Sequence, residues 1–402
     1  MLDVLICGGG VAGSALAILL GRSGLSVELL ERDVFPREKP CGEGLMPAGV
    51  AVLERLGLAE VARGAPFLGV RYRFDKRCVE APFPRVKGHP IYGRGVRRKY
   101  SDHLLFQTAS ETAGVRAYTG ARVGGLFWEN GRVAGVTVNG ELRRARLIVA
   151  ADGAHSRIRR GLGLDATPSR KRMGIRVHYR LAPGREQSRW VDVSLRRGYE
   201  LYVTPLAGGE VLIAALANVR GGGEPIHKTF RRWIFVEPAL ADLLDGAEQI
   251  SEPACASWPV SSARPRNIPG VMLLGDAAGS IDPISGGGMT HALLTAELLA
   301  GYIQKGIETG KQWMSSFERQ RQTLLGNFRR LTRALLWLAD HPAAAAQLLA
   351  AFKNFPPLLS FFAGVAGGVS RLSGPTQAPK TLRFDPACLP QMRSISRPQT
   401  GR

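Results

Sequence analysis

The apolar positions of the chain change period from one stretch to the next, and each change marks an element. Residues 4–7 form an unbroken apolar run, 12–21 carry a helical repeat and 26–30 are extended again, so strand, glycine turn, helix and strand follow in order. An amphipathic helix starts at Pro47, with Val50, Leu53 and Leu56 on one face. Residues 70–74 and 79–84 read as strands of a second sheet, 93–100 lead back toward the first, and 101–114 read as an amphipathic helix. The strands 122–128 and 132–138 are joined by Glu129-Asn130-Gly131, and Asn-Gly between apolar runs is a strong hairpin signal. A buried strand over 146–150 follows.

Between 170 and 220 the alternation is that of an antiparallel sheet: Ile175, Val177 and Tyr179; Val191 and Val193; Leu201 and Val203; Val211, Ile213 and Ala215. We expect this sheet to floor a substrate chamber. A helix over 226–236 and a strand near 256–259 complete the region, and a further buried strand, 271–274, leads into a long helix beginning near Met289. From about Lys311 the chain turns to helices rich in Leu, Ala and Phe, which either cap a pocket or offer an apolar face to a membrane surface or an oily substrate. The Pro-, Arg- and Ser-rich tail, 373–402, is expected to be poorly ordered, and there is no internal repeat.

Composition narrows the function classes. A chain of 402 residues, 45% hydrophobic and 22% charged, is globular over most of its length and long enough for two domains or one domain with an inserted sheet. A net charge of +21 would raise nucleic acid or an anionic membrane as partners. The basic residues run from end to end without a stripe of interleaved aromatics, so nucleic-acid binding is not expected. Five scattered cysteines, Cys7, Cys41, Cys78, Cys255 and Cys388, lack C-x-x-C spacing, which argues against a disulfide framework or a metal site and fits a reducing cytoplasm. No signal peptide is expected before the first strand, and the apolar stretch 357–369 is too short to span a bilayer. Any membrane contact is expected to be peripheral, through the C-terminal helices.

Gly8, Gly10 and Gly13 satisfy G-x-G-x-x-G, with a strand before and a helix after. Gly8 permits the tight turn, Gly10 lets backbone approach a pyrophosphate, and Gly13 lets helix and strand pack closely. The helix aims its N-terminal amides at the phosphates, and Glu31 stands where a carboxylate would accept both hydroxyls of a ribose. The alternative is a glycine turn that only packs a helix. Lys39-Pro40-Cys41-Gly42-Glu43-Gly44 places a thiol in a second glycine loop beside this site, where it is either a small packing residue or a catalytic one. Two more glycine stretches lie far along the chain: Asp152-Gly153-x-x-Ser156-x-x-Arg159, and Gly275-Asp276-Ala277-Ala278 followed by Pro283 and Gly286 to Gly288.

Taken together, these stretches resemble the FAD-dependent oxidoreductases of the p-hydroxybenzoate hydroxylase and geranylgeranyl reductase superfamily, over roughly residues 1–305. The resemblance implies an α/β fold in which a Rossmann-like FAD domain (1–70, 97–165 and 262–310) carries an inserted antiparallel substrate sheet (71–96 and 166–261) and a helical C-terminal cap (311–372). It implies that Gly8, Gly10, Ala12, Gly13 and Glu31 hold the ADP half of FAD, with Arg32 flanking the adenosine and Val123 offering backbone amides to adenine. Arg98, in R-x-x-x-D-x-x-L with Asp102 and Leu105, would reach the pyrophosphate and ribityl chain, and Asp276 beside Gly275 would bind a ribityl hydroxyl. Cys41, Gly42, Pro283, Gly287, Gly288 and Met289 would face the flavin, with the dipole of the long helix at its N1 and O2 edge. Asp152 would support FAD and accommodate NAD(P)H bound transiently as reductant, or else belong to a purely structural turn.

The K-x-C-G segment looks like that of geranylgeranyl reductases. Their Tyr-x-Trp-x-Phe-Pro strand is here Tyr199 to Pro205, YELYVTP, without Trp or Phe. Hydroxylation of a hydrophobic aromatic or polycyclic molecule is therefore the leading expectation, since it needs only a dry pocket and controlled flavin reduction. Double-bond reduction of a prenyl or lipid substrate is the alternative, and a non-catalytic binding protein on the same fold is a third.

Overall fold

The computed structural model describes residues 2–74, 77–165, 170–218, 225–260, 268–309, 313–353 and 355–372. Its centre is a five-stranded, wholly parallel sheet in the order Val271–Leu273, Leu147–Ala150, Val4–Cys7, Val27–Leu30, Val115–Tyr118. Every residue of Val4–Cys7 is fully buried because both faces of the strand are covered. Val4 and Ile6 pack toward the helices Val11–Arg22 and Gly288–Thr309, while Leu5 and Cys7 pack toward a three-stranded meander. The meander comprises Val123–Glu129, Arg132–Val138 and Glu141–Arg144. Its first turn holds Asn130 and Gly131 at φ +50° and +73°, the left-handed pair that a two-residue hairpin requires.

The second large sheet runs Glu248–Gln249, Arg170–Arg180, Glu210–Asn218, Tyr199–Pro205, Val191–Arg196, Gly69–Phe74, Arg77–Pro82, and Ala254–Val260 also pairs with Arg170–Arg180. It is antiparallel except at one seam, where Val191–Arg196 runs parallel to Gly69–Phe74. Two separate passes of the chain meet there, so no hairpin fixes their relative direction. Odd-numbered residues of the later strands, among them Ile175, Leu201 and Ile213, form a core with the helix Ile226–Phe235. The even-numbered face turns toward the parallel sheet. A small sheet of Gly44–Leu45, Gly93–Gly95 and Ala65–Phe67 joins the two.

The helix expected over 101–114 instead spans Arg98–Glu111. Its first amide is taken by a carboxylate from far away, Glu43 Oε1 accepting from the Arg98 N–H at 2.9 Å, a cap that local spacing does not reveal. The C-terminal helices are Met314–Asp340, Pro342–Lys353 and Pro356–Ala366, and Leu359 and Ala363 pack into the core that contains Val79, Ala81 and Phe83. Among the described residues no helix is long and apolar enough to cross a membrane. The tail 373–402, with Cys388, lies outside the described residues, as does 262–267, the start of one segment of the expected FAD domain.

Candidate active site

The glycine turn is shaped on two sides by backbone and left open on the third. A Cβ on Gly8, whose φ is +115°, would lie 2.3 Å from the Ala151 carbonyl oxygen, and one on Gly13 would lie 1.9 Å from the Gly8 oxygen. At Gly10 the nearest atom to such a Cβ is Arg37 Nη2 at 3.9 Å. Gly10 is the N-cap of Val11–Arg22, with no side-chain cap and no acid in the first turn, so the helix's amides face open space. Glu31 is buried, accepting from the Gly9 N–H at 2.8 Å and the Asp33 N–H at 3.0 Å. Arg37 approaches it at 3.8 Å and pairs with Asp102 at 3.1 Å. Arg32 is exposed and pairs with Asp33. Val123 begins the meander strand, packed beside the core that contains Leu5 and Leu30.

A cavity of about 230 Å³ extends from this turn to the even-numbered face of the large sheet. Gly10, Ala12, Gly275 and Asp276 line its near end. Cys41, Gly42 and Arg98 line it from one side, and Pro283, Gly288 and Met289 from another. Gly8, Gly13, Glu31, Arg32, Val123, Asp152 and Gly287 do not line it. Gly8 and Gly13 shape the turn from behind, and Gly287 packs so closely on His291 that a Cβ there would lie 2.5 Å from the ring. Tyr202, Thr204, Ala214 and Leu216 form the far wall, with Arg321 and Leu325 of the long C-terminal helix.

Charge is concentrated where the cavity meets the turn. Arg98 is buried and bidentate on Asp102, Nε and Nη2 at 2.6 and 2.7 Å. Burial opposes its charge, but Asp102 and the adjacent Cys41 sulfur outweigh burial and raise its pKa. For Asp102, burial opposes ionisation and the Arg98, Arg37 and Lys39 cations overcome it, holding its pKa low. Lys39 has its pKa lowered, by burial first and then by Arg98, despite Asp276 and Asp102. Burial pushes the Asp276 carboxyl up, against the pull of Lys39, Arg98 and Arg159. A bare backbone cradle, two cations and a carboxylate on one wall suit a ligand carrying both phosphate and sugar.

A family model described as an FAD binding domain matches residues 1–324. The chain belongs to this family. It is an FAD-dependent oxidoreductase with a Rossmann-like core, antiparallel sheet and C-terminal helices, as the three glycine stretches imply. Menaquinone reductase of Mycobacterium tuberculosis is 31% identical over 74% of this chain and 75% of that protein. Digeranylgeranylglycerophospholipid reductase of Thermoplasma acidophilum is 29% identical over 79% and 82%. Squalene epoxidase 3 of Arabidopsis thaliana is 28% identical over 94% and 76%. In fold, a flavoprotein/dehydrogenase from Cytophaga hutchinsonii matches with a TM-score of 0.80 over 91% of this chain and 93% of that one, at 22% identity.

Within this FAD-binding domain, the Asp152-Gly153 stretch acts as a strut for the Gly275-Asp276 stretch. Asp152 Oδ2 accepts from the Arg157 N–H at 2.8 Å, and Ser156 caps the short helix Arg157–Gly161. From that helix the buried Arg159 donates to the Ala277 oxygen at 3.2 Å and the Ala154 oxygen at 2.8 Å, and pairs with Asp165 at 2.6 Å. These bonds fix the backbone next to Asp276.

Glu43 is a site residue that no motif marks in the sequence. Its carboxylate is fully buried, accepts from Arg98 N–H and lies 2.9 Å from His178 Nε2, which is also fully buried. His178 is held in turn by Ser251 and Arg176. The one local signal was an acid inside a glycine loop, where the structure shows a left-handed φ of +55°.

Proposed function

We propose that this protein is an FAD-dependent reductase of carbon–carbon double bonds in an isoprenoid chain, with Cys41 as the proton donor. The observation that carries the proposal is the position of Cys41, whose thiol stands beside the Arg98 guanidinium on the wall between the cofactor cradle and the apolar chamber. Saturating a double bond requires a hydride at one carbon and a proton at the other. Bound FAD, once reduced by NAD(P)H, supplies the hydride. Cys41 would release its proton to the second carbon and keep the negative charge on sulfur, where Arg98 compensates it. Gly10, Val11 and Ala12 would hold the pyrophosphate with backbone amides, Asp276 a ribityl hydroxyl, and Gly288 the helix end nearest the ring.

The relatives' substrates support the chamber's part in this reading, since menaquinone, digeranylgeranylglycerophospholipid and squalene all contain isoprenoid chains. They also support a second reading, oxygenation of a hydrophobic molecule, through the squalene epoxidase likeness along 94% of the chain. That reading was the leading expectation from sequence, and in it Cys41 only packs. The thiol's placement beside a cation reverses the order. Turnover with NAD(P)H in deuterated water under nitrogen tests the choice: one deuterium on a saturated product carbon supports reduction. Incorporation of labelled dioxygen, with no product under nitrogen, overturns it. A bound flavin that no reductant bleaches would leave only a binding protein.

The same reading includes peripheral contact with an anionic membrane through the C-terminal helices, which expose Trp337, Phe355 and Leu358 on a chain of net charge +21. Co-sedimentation with anionic but not neutral vesicles tests it.

A further inference from the structure

Three ionisable side chains meet where the large sheet touches the turn that leads into Gly288–Thr309. Arg172 lies on Arg170–Arg180, Glu200 on Tyr199–Pro205 and Asp282 at the start of the turn, and none is more than 2% exposed. Arg172 pairs with Glu200 through Nη2, stands 3.5 Å from Asp282 through Nε, and donates from Nη1 to the Asn218 side-chain oxygen at 2.8 Å. The next cation, Arg170, is held by Asp340 at 2.8 Å. Tyr202 and Tyr72 face the same group, and burial raises both phenols, so both stay neutral. Two carboxylates on one guanidinium leave one net negative charge buried.

That charge borders the cofactor site. Asp282 lines the cavity together with Pro283 and Gly288, and its Oδ1 caps the turn by accepting the Ile284 N–H at 3.0 Å. A buried, uncompensated anion opposes further negative charge in the same low-dielectric region. Reduction by a hydride gives the flavin two electrons and one proton, and with them one negative charge. A second proton, bound at the cluster, removes the opposition. Glu200 is the carboxylate that takes it, because Asp282 already receives a backbone N–H while Glu200 has only the shared guanidinium. Burial, with Asp282 beside it, outweighs Arg172 and brings the Glu200 carboxyl to about 7, where a change in the local field shifts its proton occupancy.

We propose that the cluster of Arg172, Glu200 and Asp282 is a redox-linked proton acceptor, which binds one solvent proton as a Glu200 O–H when the flavin is reduced and releases it on reoxidation. The charges balance: the flavin ring goes from neutral to singly negative while the cluster goes from singly negative to neutral. The proposal extends the FAD-dependent activity itself and does not depend on the substrate or on which reaction follows reduction. Linkage fixes the sign. Below the oxidised enzyme's Glu200 value the proton is already bound and reduction adds none; above it reduction draws one in, and the potential falls more steeply with pH.

The flavin midpoint potential of the holoenzyme, measured from about pH 7 to about pH 9 against dyes of known potential, tests the proposal. One proton per two electrons gives a slope of about 30 mV per pH unit, and the wild type is expected to exceed it over this range. Glu200→Gln keeps the shape of the side chain and removes its ionisation. Its slope should be about 30 mV per pH unit, and by about pH 9 its potential should lie at least about 14 mV above wild type, roughly a threefold shift in the reduction equilibrium. Asp282→Asn leaves Arg172 a single acid and should lose the excess slope as well. A wild-type slope of about 30 mV per pH unit throughout the range would overturn the proposal even if neither variant folds. An excess slope that persists in either variant would also overturn it, because another group would then carry the proton.

Discussion

Three glycines of one motif carry three different physical demands, and substitution separates them. Gly10 has extended backbone angles that any residue adopts and open space at its Cβ, so Gly10→Ala should fold normally and lose at least about tenfold in FAD affinity, as ultrafiltration of bound flavin would show. Gly13→Ala pushes a methyl group into the Gly8 carbonyl and should cost on the order of 3 kcal/mol of stability even without FAD, measured by urea unfolding. Cys41 separates the two reactions. Under the reductase proposal Cys41→Ser should depress turnover by about 100-fold with FAD retained, because a hydroxyl is a far weaker acid than a thiol. Turnover near wild type would return Cys41 to a packing role and favour oxygenation.

At the scale of elements, the site is assembled from parts that strut one another. Arg159, on a five-residue helix, satisfies carbonyls of its own turn and of Gly275–Ala278. Arg159→Ala would leave those carbonyls unpaired and Asp165 with Arg160 alone, a loss of about 3 kcal/mol with weakened FAD binding, checked by thermal unfolding of apo and holo forms. Glu43 does the same between the Cys41 loop and Arg98–Glu111, joining the N–H that opens the helix to His178 of the large sheet. That joint explains why the helix begins three residues before the apolar repeat suggests.

For the whole molecule, the buried Arg172, Glu200 and Asp282 cluster gives stability a pH dependence. Desolvation, with Asp282 beside it, pushes the Glu200 carboxyl up to about 7 against the attraction of Arg172, which is shared between two acids. A carboxyl whose pKa is raised by folding binds its proton more tightly in the native state, so its stabilising contribution is lost as pH rises through the folded value. Glu200→Gln lacks this dependence. Its melting temperature relative to wild type should therefore rise between about pH 5 and pH 8, and a constant difference would contradict the assignment. The parallel core, the hairpin at Asn130-Gly131 and the alternating sheet of 170–218 were legible because each depends on a local period or a local backbone requirement, and the order of the glycine stretches points to FAD by itself. The parallel seam between Val191–Arg196 and Gly69–Phe74, the Glu43 cap and the Arg159 strut join residues up to 135 positions apart, as with Glu43 and His178. Sequence determined which segments are apolar and which turns need glycine. Only the tertiary structure decided which buried polar groups find partners, because partnership depends on where separate passes of the chain meet.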